Sequence, residues 1–428
     1  MLKPVKRNKL SIFELANSNN PLLEQISDSQ DLKNLMTSLR LVPFAGSDKY
    51  TGHTLLKFLL NMRTLSTTHG SCIKTLKGYC FPTKIDIVHE TNTVFETNNT
   101  LSEVDSGTKT AFADFLSTIK IDLGDFRKLA LQIFDDRKTT GNAYVSLTLS
   151  DTVGVKGYSI NHYSPDKCMY YYTDKGEQKI IAVSSKWDEN YLINNPPKLI
   201  PLYPNYTTDE NGSLVTIFHL KTSNKWYDLP DSFESFYAQY LEFRTTNYLI
   251  NQNDTGFTGK ILLEFEAGNP EHDSVAGDEN KDTNDFNRWE TNFTNAGETP
   301  SSLMLFERPF GAKEVKVHEF TPNTNEKYFK AIKEIAKNEI VQSHSLTLRM
   351  LGEAAPSGLA NNAAMDDFKQ RLPIIKSYQT EIATFLNTII NEVLKFAGIT
   401  DFDHVGIGFT SPYEVMLNDI AAQNPVQP

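Results

Sequence analysis

YFKAIKEIAKNEIVQSHSLTLRMLG (328–352), EAAPSGLANNAA (353–364) and MDDFKQRLPIIKSYQTEIATFLNTIINEVL (365–394) follow one another without a gap. In the third segment Phe368, Leu372, Ile375, Ile382, Leu386, Ile389, Val393 and, just beyond it, Phe396 recur at spacings of three, four and seven. That period draws one apolar stripe along a single long helix, expected over 363–397, and these residues are its packing face. Only Gln379 interrupts the stripe. Asp366 and Asp367 suit the start of the helix, where the macrodipole is positive. The middle segment is Ala, Gly, Ser and Asn with Pro356 and Gly358 as breakers, so a loop is expected over 346–362. A loop of that kind between two long helices is more often functional than accidental.

Working back toward the N-terminus, a helix is expected over 53–79, with Leu55, Leu56, Phe58, Leu59, Met62 and Leu65 on one face, then a strand in FPTKIDIVHE. Residues 91–108 read as loop. Phe126, Leu129, Ala130, Ile133 and Phe134 mark a second helix that ends at Gly141, a candidate left-handed cap, before a strand in YVSLTL. Short β runs follow in KCMYYYT, KIIAVSS, KLIPLYP and LVTIFHLKT. A helix opens after Pro230, with Asp231 or Ser232 as N-cap and Phe233, Phe236, Tyr237, Tyr240 and Leu241 along one side. Between that helix and the one at 323–345 lies a small α+β unit, about 255–321. Its expected elements are strands in TGFTGKILLEFE, SSLMLFER and KEVKVHEF and a short helix carrying Phe286, Trp289 and Phe293 as its core. An acidic loop runs from 267 to 282, without the ligand spacing of an EF-hand.

The chain has 428 residues, 42 Lys plus Arg and 53 Asp plus Glu, a net charge of −11. Tight phosphate-backbone binding needs clustered cations, so the balance disfavours it without excluding loose contact with DNA. Cys72, Cys80 and Cys168 form no even framework and no metal spacing, which predicts reduced thiols. The basic N-terminus lacks the apolar run of a signal peptide, and no window is long and apolar enough to span a membrane.

Catalytic patterns are absent: there is no HExxH, GxSxG, Walker A or Rossmann glycine set. His219, inside an apolar strand, reads as a hydrogen-bonded core residue. His344 reads as a helix-terminus contact. Neighbouring carboxylates such as Asp135 and Asp136 diverge by about 100° on a helix and do not converge on one substrate. The expectation is therefore no enzyme, no cofactor and no metal site.

Several segments nevertheless resemble one family. The helix–GNAYV–strand run at 126–147 and THGSCIKTLKG at 68–78 are similar to the wing of portal proteins of tailed bacteriophages. IFHLKT (217–222) with WYDLPD (226–231) resembles the family's strand–histidine segment and its approach to a long helix. NQNDTGFTGKILLEF (251–265) resembles the turn and strand that follow that helix. EIVQSHSLTLRMLGE (339–353) is similar to a family segment in which Leu346-Thr347 replaces Val-Pro. The closing helix matches in its internal Pro373 and in Leu386-Asn387. The matches keep the family's order from about 55 to 395.

The resemblance implies an α+β portal fold: an α/β wing (1–230), stem helix 1 (231–254), a small α+β clip (255–321), stem helix 2 (322–345), a tunnel loop (346–362), a long wing helix (363–397) and a short crown or C-terminal tail (398–428). It implies a homo-oligomeric ring, commonly a dodecamer, at one capsid vertex. Its partners would be the major capsid protein, the terminase large subunit, head–tail adaptor proteins and double-stranded DNA held without sequence preference. It would act in the virion after assembly in the host cytoplasm. Arg349, Glu353, Ser357, Asn361 and Asn362 would be the loop residues facing the DNA channel, Arg349 being open equally to an ordinary surface salt bridge. The other readings are a different phage structural or adaptor protein, a carbohydrate-active enzyme with scattered catalytic residues, and a soluble α+β protein in which 346–362 is only a linker.

Overall fold

In a computed structural model the described residues are 41–42, 44, 52–81, 85–89, 104–171 without 153, 179–254 without 188 and 224, 261–266, 303–308, 326–352, 360–402, 404–411 and 414. The chain divides into two compact units, one of residues 1–236 and 340–428, the other Tyr237–Glu339.

The first unit mixes helices and antiparallel sheets. Strand β1 (Leu41–Val42) edges a four-stranded sheet with β6 (Cys168–Tyr171), β7 (Ile180–Val183) and β8 (Lys198–Pro201), in the order β1-β6-β7-β8. The second sheet has the order β3-β5-β4-β10-β9: β3 (Lys120–Ile121), β4 (Ala143–Thr152), β5 (Val155–Tyr163), β9 (Thr207–Thr208) and β10 (Leu214–Leu220). Leu202 bridges to Ile217, where the chain leaves one sheet beside the other. A core of Phe44, Leu55, Leu56, Leu59, Met62, Tyr144, Tyr170, Ile181, Ile200 and Ile217 joins both sheets to helix α1 (Gly52–Leu65). Burial of this apolar surface drives the assembly of the unit.

The single helix expected over 53–79 is two. Ser66 breaks it and caps α2 (Thr67–Cys80) by accepting the His69 N–H at 3.2 Å. The loop expected over 91–108 gives way at Asp105, which caps an unanticipated helix, α3 (Ser106–Thr118). Phe112 is its buried residue, so a 3.6-residue period has almost nothing to show in the sequence. Strand β5 was likewise unread. Its sequence, VKGYSINHY, is polar because most of it is only half covered.

Helix α4 (Phe126–Thr140) has Asp125 as N-cap and Gly141 in the left-handed conformation (φ 81°) as its end. The short α5 (Glu189–Asn194) was not anticipated. Helix α6 (Phe236–Asp254) follows a 3-10 turn, Asp231–Ser235, that Pro230 precedes. Asp231 and Ser232 do not cap it. Helix α7 spans Glu326–Ser343 and helix α8 spans Ala360–Ala397.

Helix α8 is 38 residues long and starts three residues before the expected 363. Phe368, Ile375, Ile382, Leu386, Ile389 and Val393 are buried, and Leu372 is half-buried. Gln379 breaks the stripe for a reason: its Nε2 donates to the Cys80 carbonyl at 2.6 Å, which ties α8 to the end of α2. Gly398 (φ 75°) closes α8, with Ile399 N–H reaching the Leu394 carbonyl. Lys156 Nζ donates to the last carbonyls, Phe396 at 2.8 Å and Ala397 at 2.9 Å.

Within 398–428, expected as a short crown or C-terminal tail, Val405–Gly408 (β13) is buried and pairs antiparallel with β2 (Asp86–His89). The Asn387 amide mimics a further strand. Its Nδ2 donates to Ile407 O and its Oδ1 accepts the Ile407 N–H at 2.8 Å. A Cβ on Gly406 would strike that amide at 2.6 Å, so the strand needs glycine there.

The second unit contains most of α6 and α7, whose Tyr248 and Phe329 rings stack at 5.2 Å, and a parallel pair, β11 (Ile261–Glu266) with β12 (Leu303–Arg308). The acidic loop 267–282, the helix expected around Phe286, Trp289 and Phe293, and the strand expected in 313–320 lie outside the described residues. No disulfide joins Cys72, Cys80 and Cys168, and all three are buried. No helix among the described residues is long and apolar enough to cross a membrane.

Candidate functional site

The turn between α7 and α8 is built in 344–352. Helix α7 ends with Ser345 in the left-handed region (φ 56°). Its N–H reaches the Gln342 carbonyl, and the Leu346 N–H reaches Val341. This is a Schellman ending with serine where glycine is usual, and Leu346, 2% exposed, supplies the apolar contact. The chain then coils through three overlapping turns, Thr347 to Met350, Leu348 to Leu351 and Arg349 to Gly352. The Met350 carbonyl accepts the Tyr79 hydroxyl at 3.0 Å.

Of the residues expected on the channel loop, Arg349 is exposed and lies 3.7 Å from Asp367 Oδ2 on α8, the salt bridge weighed as its other reading. Thr347 Oγ1 donates to the same oxygen at 3.0 Å. Asp367 is therefore a clasp on the turn. With α8 beginning at Ala360, neither Asp366 nor Asp367 is at the helix start. The same early start moves Asn361 and Asn362 out of the loop and into the first turn of α8. An alanine-rich run after Gly358 has high helix propensity, and that outweighs the two asparagines. Glu353 and Ser357 lie outside the described residues.

His344, expected as a helix-end contact, faces His69 instead. Nδ1 of His69 and Nε2 of His344 are 2.9 Å apart, and the residues are 3% and 0% exposed. Burial first, then Lys138 and Arg63, lowers His69 to about 4. Burial, then His69 and Lys138, lowers His344 to about 2. Both rings are neutral near pH 7, and Nδ1 of His344 has no hydrogen-bond partner among the described residues. An unfolded histidine takes a proton near 6.5, whereas these refuse it until well below. Their stabilisation is thus complete above about 6.5 and is lost as the pH falls from there toward 4. Urea unfolding at pH 7.5 and 5 should show a clearly lower midpoint at pH 5. His344→Leu should flatten that dependence, and equal midpoints for the native chain would contradict the neutral pair.

The last turn of α4, Asp135 through Thr140, is buried all round although it is polar. Isolated buried charges cost too much to persist, so each is paired. Asp135 takes Lys77 at 2.7 Å and Arg63 at 3.1 Å. Asp136 takes His162 at 2.6 Å and Gln132. Arg137 Nε reaches Glu381 on α8 at 3.0 Å. Lys138, 1% exposed, reaches Asp231 at 2.9 Å and the Tyr378 hydroxyl at 2.8 Å. Burial opposes its charge, but Tyr378 and Asp231 outweigh that and hold the ammonium above its ordinary range. One turn of helix thereby ties α2, α8 and the lead-in to α6 together.

Gly141 and Asn142 complete the joint. A Cβ on Gly141 would sit 2.5 Å from the Leu229 carbonyl carbon, so residues 228–229 pass directly over it. Asn142 Nδ2 donates to the carbonyls of Thr140 and Asp228, and its Oδ1 accepts the Asp228 N–H at 3.0 Å. His219 meets the same Oδ1 through Nε2 at 3.0 Å and accepts the Tyr170 hydroxyl on Nδ1 at 2.7 Å. These partners assign the proton to Nε2 of a neutral ring. Burial holds its pKa well below the usual range. The core reading of His219 is thus what the structure contains. The Asp228 carboxylate accepts from Thr222 and Ser223. Partial burial raises its pKa, but these bonds outweigh that and bring it to about 2.

No group of three or more metal-ligating side chains stands together among the described residues. Ser343 Oγ, on the last residue of α7, donates to Ser235 Oγ at 2.6 Å. GNAYV and WYDLPD bind each other through Asn142 and Asp228, 86 positions apart, and neither run marks the other as its partner. Only the glycine pointed to a close approach.

No protein-family model matches the chain, and no curated protein does. Among solved structures it is similar to a chain of the virion of the native gene transfer agent particle, at 13% identity and TM-score 0.46, covering 94% of this chain and 97% of that one. It is also similar to a chain of the neck of the native particle computed with C12 symmetry, at 14% identity and TM-score 0.46 over 92% and 94%. A third is from the neck of the empty particle computed with C6 symmetry, at 14% identity and TM-score 0.40 over 94% and 92%.

Proposed function

We propose that this chain is the subunit of a phage-type portal: a ring at one capsid vertex through which double-stranded DNA is packaged and ejected. The observation that carries the reading is the order of parts. A separate unit, Tyr237–Glu339, is inserted in the chain and contains most of α6 and α7, the 344–352 turn follows, and the 38-residue α8 comes next. That is the order of stem, clip, stem, tunnel loop and wing helix implied by the sequence resemblance. The acidic balance suits a channel along which duplex DNA slides without arrest.

In this reading the chain is not an enzyme, and it acts in the virion. The inserted unit docks the terminase large subunit and later the head–tail adaptors, while the first unit meets the major capsid protein. Arg349 and residues 353–362 face the channel and touch phosphates without reading bases. Replacing 353–359 by a Gly/Ser sequence should leave assembly and stability unchanged. In a capsid packaging assay it should lower the amount of DNA held. Unchanged packaging and retention would contradict the placement of the loop.

A further inference from the structure

A lysine-rimmed tryptophan stands on the first unit, two residues before the 228–229 segment that passes over Gly141. Trp226 is 38% exposed, and Leu229, three residues on, is 46% exposed. The Trp226 ring packs edge-on against Tyr170 with centroids 4.9 Å apart. Lys179 Nζ lies 5.9 Å from the Trp226 ring centre and Lys221 Nζ lies 5.7 Å from that of Tyr170. Lys221 also donates to the Lys225 carbonyl, which holds the 221–225 turn closed. Lys179 and Lys225 are exposed. None of these lysines has a carboxylate within ion-pair distance among the described residues. The nearby Asp228 is buried, and its oxygens are already engaged by Thr222 and Ser223.

An exposed indole in a rim of three lysines is unusual on a chain of net charge −11. Such a patch has the makings of an interface anchor: tryptophan supplies the apolar centre, and lysines set the partner's charge. Copies of an acidic chain repel one another when they are brought side by side. In a ring each copy presents one surface to a different surface of the next, so a basic patch can meet an acidic one at every junction. We infer that the Trp226 patch, with Lys179, Lys221 and Lys225, is the basic half of the contact between neighbouring copies and receives an acidic surface of the next subunit. The inference rests on the ring reading.

The test is assembly of the full-length chain, followed by light scattering and negative-stain microscopy at low and high salt. The variant Lys179→Glu/Lys225→Glu alters exposed side chains only, and an unchanged melting curve confirms its fold. The native chain should form rings whose assembly weakens with salt. The double variant should need about tenfold more protein, or more, to assemble, and should lose most of the salt dependence. Rings formed by the variant at the native concentration and with the native salt dependence would overturn the inference and leave the portal reading standing. A native chain that stays monomeric at every concentration would overturn both.

Discussion

Gly141→Ala is expected to cost about 3 kcal/mol or more, enough to leave a marginally stable domain largely unfolded. Alanine in the left-handed conformation costs about 1–2 kcal/mol by itself. The rest comes from collision. The new Cβ would lie 2.5–2.8 Å from the backbone of Asp228 and Leu229, and only moving that segment relieves it. That movement would break the Asn142 bonds to Asp228, each of which contributes about 1 kcal/mol. Asparagine separates the two causes. It tolerates the left-handed region but still carries a Cβ, so Gly141→Asn should be nearly as damaging as alanine. Denaturant unfolding that showed a loss under about 1 kcal/mol for either variant would mean that 228–229 does not pass over Gly141 as described.

The second large effect is on α8. Ile389 is fully buried, and Ile389→Asp would place a carboxylate there with no partner, at a cost of several kcal/mol. No folded protein and no assembly are expected. Ile382→Asp should behave alike, since Ile382 is 1% exposed. Ile389→Val, which removes one methylene, should cost only about 0.5–1.5 kcal/mol and should still assemble. Normal assembly of either aspartate variant would show that the buried face of α8 has been misassigned.

Where a periodic stripe met a buried face, the sequence was legible. The face of α8, the helix before Gly141 and the β runs from YVSLTL to LVTIFHLKT all show it. Legibility ended where burial and hydrophobicity part company. Phe112 is the buried residue of α3, and the half-covered β5 is polar, so neither leaves a periodic signal. The buried turn Asp135–Thr140 reads as a solvated helix end, because its partners, Arg63, Lys77, His162, Asp231, Tyr378 and Glu381, are scattered along the chain. His69 and His344 are separated by 275 positions, and nothing local marks either as half of a pair. Val405–Gly408 carries two glycines and looked like a tail. Its place is set by the Asn387 amide and by β2, neither of which a four-residue run can announce.

The central claim is that this chain closes into a ring around a DNA channel. Electron microscopy of the purified full-length protein tests it most directly. Closed rings with a central hole wide enough for duplex DNA, and residues 344–352 at the inner wall, are the expected result. Single particles without a hole, or rings that carry 344–352 on the outer rim, would contradict it.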